Sequence, residues 1–223
     1  MEAPKVMISA AWDPVIERYA GQVPVAFIRA LVHGESGGDS QKENPTSHAA
    51  GLLQITDIVR RDWNAAHTDS PVSRSDLFDP EINVRIGAAL LNRIVLVYRH
   101  HPTLRPDWGS RRYAELVGLG WNAGYSDRGG VGLAVAALEA AGAQPADVTV
   151  DSVARVAAGL PNASRFVARA DRVAYAKAVA DLYLGSRGGR VVAGHGGGVT
   201  GPVVIAALGA LGLAHFGRRG GSA

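Results

Sequence analysis

The chain of 223 residues is long enough for one globular domain with an appendage, and its 47% hydrophobic content supports a buried core. A net charge of +3 with isolated arginine pairs, not interleaved with aromatic residues, argues against a nucleic-acid-binding protein. The absence of cysteine excludes disulfides and thiolate chemistry.

Helical spacing of apolar residues predicts an all-α fold, or nearly so, because no clear alternating strand is present. Asp13-Pro14 opens a short helix to about Gly21, with Asp13 as its N-cap, and a second helix covers 24–35. Asp79-Pro80 caps the fourth helix. The helices after the second are predicted at about 56–66, 80–98, 110–121, 131–141, 151–158 and 163–184.

Glu35 lies on the apolar stripe of the second helix, three residues after Val32 and seven after Ile28. A carboxyl group on a core-facing stripe is costly to ionise, and the end of a helix disfavours negative charge. The following Ser36-Gly37-Gly38 is typical of a helix stop. We therefore expect a raised pKa and a protonated Glu35 near neutral pH, as a general acid requires. The alternative is a solvated glutamate at a helix end.

Four short motifs follow one another along the chain: Glu35-Ser36, Gly51-Leu52-Leu53-Gln54, Asn83-x-x-x-Gly87 and Trp121-Asn122-Ala123-Gly124. In this order, over about 13–185, they resemble the soluble-type lytic transglycosylase domain of the lysozyme-like superfamily. The resemblance implies a lysozyme-like helical fold, peptidoglycan glycan strands as the substrate and Glu35 as the single catalytic acid/base. It also implies substrate contacts from Ser36, Ser47, Gln54, Trp121 and Asn122. No metal or other cofactor is expected.

Three positions depart from the family pattern. Leu53 replaces the usual Met, which is a swap of similar volume. Trp121 replaces the usual Tyr, so a hydroxyl contact to substrate is lost, although an indole can stack on a sugar and donate one N–H. The family often has an acidic residue before a Tyr-Val pair, and 162–167 offers no acid.

The two glycines of the middle motifs also carry expectations. Gly51 is expected in a turn beneath the cleft, where a side chain would obstruct the sugar. Gly87 shares a helical face with Asn83, and that face is expected to approach the Glu35 helix. Packing between helices is favoured for Gly87 over a substrate role.

Glycosidic cleavage needs a proton on the leaving oxygen and a stabilised oxocarbenium-like centre, for which most glycosidases use two carboxylates. No second acid is evident, because the candidates lie in polar contexts: Asp39, Glu43, Asp57 and Asp62. The resemblance implies that Glu35 protonates the oxygen between MurNAc and GlcNAc and then receives the C6 hydroxyl proton as a 1,6-anhydro ring closes. Two alternatives stay open: a hydrolytic goose-type-like lysozyme, and a structural or wall-binding virion protein with little turnover.

The domain is assigned to 1–185, a glycine-rich linker to 186–201 and an apolar segment to 202–223. The apolar core of that last segment is shorter than the roughly 20 residues of a spanning helix. Membrane insertion, docking in a virion or oligomer through 202–217, and a plain surface helix all stay open. Residues 1–11 show no signal-peptide pattern, so we expect a bacteriophage product, carried in the virion or released at lysis, that acts on the host envelope.

Overall fold

The computed structural model describes residues 9–188, with side chains to 186. This part of the chain contains eight α-helices and no β-strand beyond isolated bridges, which confirms the all-α prediction. The helices are α1 (Asp13–Tyr19), α2 (Val25–Ser36), α3 (Asp57–Ala66), α4 (Pro80–Tyr98), α5 (Arg111–Ala123), α6 (Val131–Ala140), α7 (Val150–Gly159) and α8 (Ala170–Gly188). Short 3-10 helices cover Ser75–Phe78, Pro102–Leu104 and Pro145–Asp147.

The end of α8 bears on the predicted linker. This helix runs to Gly188, three residues into the stretch assigned to the linker, and 189–223 lie outside the described residues. The expectations for 202–223 therefore stay predictions. No helix within 9–188 is long and apolar enough to cross a membrane.

Two predicted helix starts are wrong. Trp12, not Asp13, occupies the N-cap position of α1, and the Asp13 carboxylate instead accepts hydrogen bonds from Arg29 of α2. The last helix begins at Ala170, seven residues later than predicted. The Ser164 hydroxyl accepts from the Phe166 amide, and the Ser164 amide donates to Gly129, so this segment forms turns in place of helix.

The central helix of the domain is α5, which is buried at every position from Tyr113 to Ala123. It packs most extensively on α8, and α2 also packs on α8. The two helices α5 and α8 lie close together at Gly118, where a Cβ would lie 3.4 Å from the Ala176 Cα, at the short end of van der Waals contact. The C-terminal end of α2, the last turn of α5 and the first turns of α8 consequently meet.

Asn83 of α4 fixes the loop that carries the second motif. Its side chain is fully buried, and its amide nitrogen donates to the Ala50 and Leu77 carbonyls at 2.8 and 2.7 Å. Its amide oxygen accepts from the Leu53 amide at 2.8 Å. These hydrogen bonds pair the Leu53 amide and the Leu77 carbonyl, and they give the Ala50 carbonyl, which also accepts from the Ile55 amide, a second donor.

The roles expected of Gly51 and Gly87 are corrected by this loop. A Cβ on Gly51, at φ +77°, would lie 2.2 Å from both Asn83 and the Leu77 carbonyl, so the obstacle is the protein itself and not a sugar. A Cβ on Gly87 would lie 2.4 Å from Leu53. Packing is therefore the role of Gly87, as favoured, but its partner is the loop after α2 and not α2.

We predict that Asn83→Leu lowers the free energy of unfolding by about 3 kcal/mol, because it leaves buried backbone groups unpaired. Urea denaturation measures this change. Asn162→Ala, on an exposed turn, is the control and should stay close to wild type. An Asn83→Leu protein as stable as wild type would contradict the role given to this side chain.

A buried histidine ties the loop after α5 to α6. His101 is 6% exposed, and its ring nitrogens lie 3.0 Å from Glu139 Oε2 and 3.0 Å from Asp127 Oδ1. Glu139 also accepts from the amide and hydroxyl of Thr103. Burial lowers the pKa of His101, but the hydrogen bonds and charges of the two carboxylates outweigh it and the pKa lies above its ordinary value of 6.5. Both ring nitrogens donate only when the imidazole is charged.

We predict that this clamp makes stability depend on pH. Because the folded pKa of His101 is raised, its contribution is complete below about pH 6.5 and is lost as pH rises through the folded value. His101→Gln should lower the free energy of unfolding by about 1–3 kcal/mol at acidic pH and should remove that decline. Urea titrations across pH test this, with the exposed neighbour variant His100→Gln as the control. An unaltered pH dependence in His101→Gln would refute the clamp.

Candidate active site

Glu35 lies in the last turn of α2, and Gly37 ends that helix as predicted, with φ +69° and its amide bonded to the His33 carbonyl. The Glu35 residue is 4% exposed. Its stripe neighbours Ile28, Leu31 and Val32 are buried as well. The amphipathic pattern of α2 therefore places a carboxyl group inside the protein.

Two donors from distant parts of the chain hold this carboxyl group. The Trp121 indole nitrogen, at the end of α5, donates to Glu35 Oε1 at 2.8 Å. The Tyr175 hydroxyl, on α8, donates to the same oxygen at 2.5 Å. Since both hydrogen bonds reach Oε1, the proton of the neutral acid is favoured on Oε2.

The environment of Glu35 shifts its acidity in opposing directions. Burial raises its pKa, and the hydrogen bonds from Tyr175 and Trp121 and the charges of Lys42 and Arg172 lower it. Burial dominates and sets the pKa at about 7, against an ordinary value of 4.5. Glu35 therefore exchanges a proton near neutral pH, which is the property expected from its sequence position.

Two of the other acidic candidates, Glu43 and Asp57, are engaged in ion pairs elsewhere. Glu43 is exposed and pairs with Arg74 at 2.7 Å and His48 at 3.0 Å. Asp57 pairs with two arginines of its own helix, Arg60 and Arg61. The charged groups that act on Glu35 within the described residues are cations, so no carboxylate there acts as its partner.

An open cavity is lined in part by Trp121, one of the two donors to Glu35, whereas Glu35 and Tyr175 lie behind this lining and not in it. The described residues that line it come from the loop before α3, from α3 and α4, and from the last turn of α5: Gln54, Ile55, Thr56, Val59, Leu90, Trp121 and Asn122. Three sequence-predicted site residues, Gln54, Trp121 and Asn122, thus share one cavity. The indole hydrogen of Trp121 is directed to Glu35, so this hydrogen is not available to a sugar.

Gln54 occupies a strained position at the tip of its loop. Its φ is +47°, in the left-handed region that side chains seldom adopt, and the loop is closed by paired hydrogen bonds between Ala50 and Ile55. The amide nitrogen of Gln54 donates to the Lys42 and Gly51 carbonyls at 3.0 and 2.9 Å. Both amide hydrogens are used, so Gln54 can offer only its oxygen to a ligand.

Two other predicted site residues serve local structure. The buried Ser36 hydroxyl donates to the Val32 carbonyl and accepts from the Gly38 amide, which completes the end of α2. Ser47 lies in a turn, where its amide donates to Asn44 and its hydroxyl accepts from the Ala49 amide. The structure does not bring Ser36 or Ser47 to the cavity lining.

Tyr175 and Arg172 are site residues that the motifs did not indicate. Tyr175 binds Glu35 across 140 positions of sequence, and the Arg172 guanidinium donates to Asn122 Oδ1 at 2.5 Å. The sequence does contain an acidic residue ahead of a tyrosine, as in the family pattern that 162–167 lacks, because Asp171 precedes Tyr175 by four residues. Tyr175 is followed by Ala176 in place of Val, which hides the pattern.

The family model of the transglycosylase SLT domain matches residues 16–127, about half of the chain. The chain belongs to this family. No curated protein matches it significantly. Among solved structures, the SLT domain is similar to the 70 kDa soluble lytic transglycosylase Slt70 from Escherichia coli, with 18% identity and a TM-score of 0.53 over 81% of this chain.

A complex of the 70-kDa soluble lytic transglycosylase with bulgecin A gives a TM-score of 0.54 at 18% identity over 82% of this chain. At this identity the likeness shows the fold, and it confirms the lysozyme-like helical architecture. The chain spans 25% of the length of each of these structures.

We predict that Tyr175→Phe raises the pKa of Glu35 above about 7, because the hydrogen bond from Tyr175 stabilises the ionised form and the variant lacks it. NMR titration of carboxyl-labelled glutamate measures this pKa, and Glu35→Gln assigns the resonance. Tyr19→Phe is the control, since that hydroxyl binds the exposed Glu81 instead. A Glu35 pKa that stays at the wild-type value in Tyr175→Phe would contradict the assignment of this hydroxyl.

Proposed function

We propose that the chain is a peptidoglycan lytic transglycosylase that cleaves the β-1,4 bond between MurNAc and GlcNAc and leaves a 1,6-anhydro-MurNAc end. The observation that carries the proposal is the buried Glu35 with a pKa near 7, which is bonded to Trp121 of the cavity lining and has no carboxylate partner among the described residues. Membership of the transglycosylase SLT domain family supports the same reaction.

In the first step Glu35 acts as the general acid. Its proton moves from Oε2 to the glycosidic oxygen, and the bond from that oxygen to C1 of MurNAc breaks. Trp121 and Tyr175 keep their hydrogen bonds to Oε1 and stabilise the carboxylate that forms. Burial raises the pKa of Tyr175 well above its ordinary value, so this residue stays a neutral donor.

In the second step the same carboxylate acts as the base. The C6 hydroxyl oxygen attacks C1, the anhydro ring closes, and the hydroxyl proton returns to Glu35. Reuse of one group as acid and then base needs a pKa close to the working pH, as Glu35 has. The N-acetyl group of MurNAc supplies the stabilisation of C1 that a second carboxylate gives in other glycosidases.

The hydrolytic alternative differs only in the nucleophile, because water attacks C1 in place of the C6 hydroxyl. The absence of a second carboxylate acting on Glu35, within the described residues, favours the intramolecular attack. The expectation of a virion-carried phage product, and of docking through 202–217, stays a prediction that particle proteomics and fractionation of the full chain would test.

We predict that Glu35→Gln reduces turnover of purified peptidoglycan by about 100- to 10,000-fold, since glutamine keeps the shape but cannot deliver a proton. Dye release from labelled cell walls measures turnover. The control is Glu115→Gln, which alters a buried glutamate that pairs with Arg111 away from the cavity and should retain activity. Full activity in Glu35→Gln would exclude Glu35 as the acid and favour a wall-binding role.

The pKa of Glu35 also predicts the pH profile of the reaction. The acid must be protonated in the free enzyme, so kcat/KM should be constant below about pH 7 and fall tenfold per pH unit above it. Initial rates on soluble glycan strands across pH measure this fall in kcat/KM. A descending limb that begins near pH 4.5 would show that an ordinary, solvated carboxyl group does the chemistry.

A further inference from the structure

Arg172 is a guanidinium inside the protein. Its residue is 0% exposed, one turn before Tyr175 on α8. The carboxylate of Asp171 lies 3.7 Å from its Nε, but Asp171 is already held by Arg169 through bonds of 2.8 and 2.9 Å. Burying such a cation is costly, so its position indicates that the charge has a use at this end of α8.

The hydrogen bond from Arg172 determines which way the Asn122 amide faces. A guanidinium carries donors only, so the atom of Asn122 that meets Nη1 at 2.5 Å must be the oxygen. The amide nitrogen is then turned away from Arg172. Asn122 is 3% exposed and lines the cavity, and its Nδ2 is buried without a hydrogen-bond partner among the described residues.

A buried amide donor without a partner destabilises the folded protein unless a ligand supplies the acceptor. Gln54, across the same lining, has spent both amide hydrogens on Lys42 and Gly51. Of the two side-chain amides in this lining, Asn122 is therefore the one whose N–H groups have no partner among the described residues.

We propose that Arg172 is a positioning residue that locks the Asn122 amide with Nδ2 towards the cavity, where it donates to a carbonyl or hydroxyl oxygen of the sugar substrate. The proposal rests on the proposed function of the cavity and adds a determinant of substrate binding. Without Arg172 the Asn122 amide can rotate about its terminal bond, and Oδ1 can then take the place of Nδ2. The positive charge of Arg172 acts on Glu35 as well.

The test compares steady-state kinetics of five variants on purified soluble glycan strands, at a pH below the Glu35 pKa so that the acid is protonated throughout. Arg172→Met should raise KM about tenfold with little change in kcat, since a ground-state hydrogen bond is lost. Asn122→Asp should raise KM similarly, because a carboxylate pairs with Arg172 and offers no donor. Arg172→Lys, which keeps a donor-only cation, should restore a KM near wild type.

The double variant Arg172→Met/Asn122→Asp separates positioning from general damage. If Arg172 acts through Asn122, the two effects are not additive and the double variant binds no worse than the poorer single variant. Arg169→Met, on the exposed partner of Asp171, is the matched control and should keep the wild-type KM. Circular dichroism checks that each protein is folded, and Asn122→Asp and Arg172→Lys decide the matter if Arg172→Met unfolds.

A wild-type KM in folded Arg172→Met or in Asn122→Asp would overturn the proposal, and so would two effects that multiply in the double variant. A poor KM in Arg172→Lys equal to that of Arg172→Met would also overturn it. These results leave the wild-type reaction intact. A wild-type protein that does not cleave glycan strands would instead refute the proposed function.

Discussion

The acidity of the site depends on the free-energy cost of burying one carboxyl group, that of Glu35, away from water. Glu35 is buried at the end of α2, where ionisation is unfavourable, and two neutral donors meet one of its oxygens. Burial alone would hold the acid protonated, and the donors bring its pKa back to about 7. The reactivity of Glu35 depends on the balance between burial and these hydrogen bonds. The two donors lie on different helices, Trp121 on α5 and Tyr175 on α8.

This balance requires α5 and α8 to lie close to one another and to the end of α2. On α5, Gly118 faces Ala176 of α8, and Gly120 lets α5 approach α4, because a Cβ there would lie 2.2 Å from the Tyr98 hydroxyl. Buried polar side chains of α4 and α8 then hold two groups of the cavity lining in place. Asn83 holds the loop of Gln54, and Arg172 holds the amide of Asn122.

The local features could be predicted from the sequence because they depend on neighbouring residues. The stripe of α2, its stop at Gly37 and the buried, weakly acidic Glu35 follow from helical periodicity and glycine geometry. Helix bounds were predicted to within a few residues except at α8, where the Ser164 hydroxyl competes with the helical backbone.

The remaining features depend on contacts between distant residues, which periodicity does not encode. Tyr175 and Trp121 converge on one oxygen, although they lie 140 and 86 residues from Glu35. Gly87 packs against Leu53 and not against α2. The Trp121 N–H donates to Glu35 and is not available to a sugar. Residue types indicated that these positions matter, but only the packing of α5 and α8 determines which atoms meet.

Mass spectrometry of the muropeptides that the wild-type protein releases from purified peptidoglycan tests most directly whether Glu35 acts alone as acid and base. Closure of the ring by the C6 hydroxyl leaves a 1,6-anhydro end, which is lighter by one water than the product of hydrolysis. We expect the released fragments to carry the anhydro end. Fragments with only hydrated reducing ends would show that water is the nucleophile and would contradict the return of the proton from the substrate to Glu35.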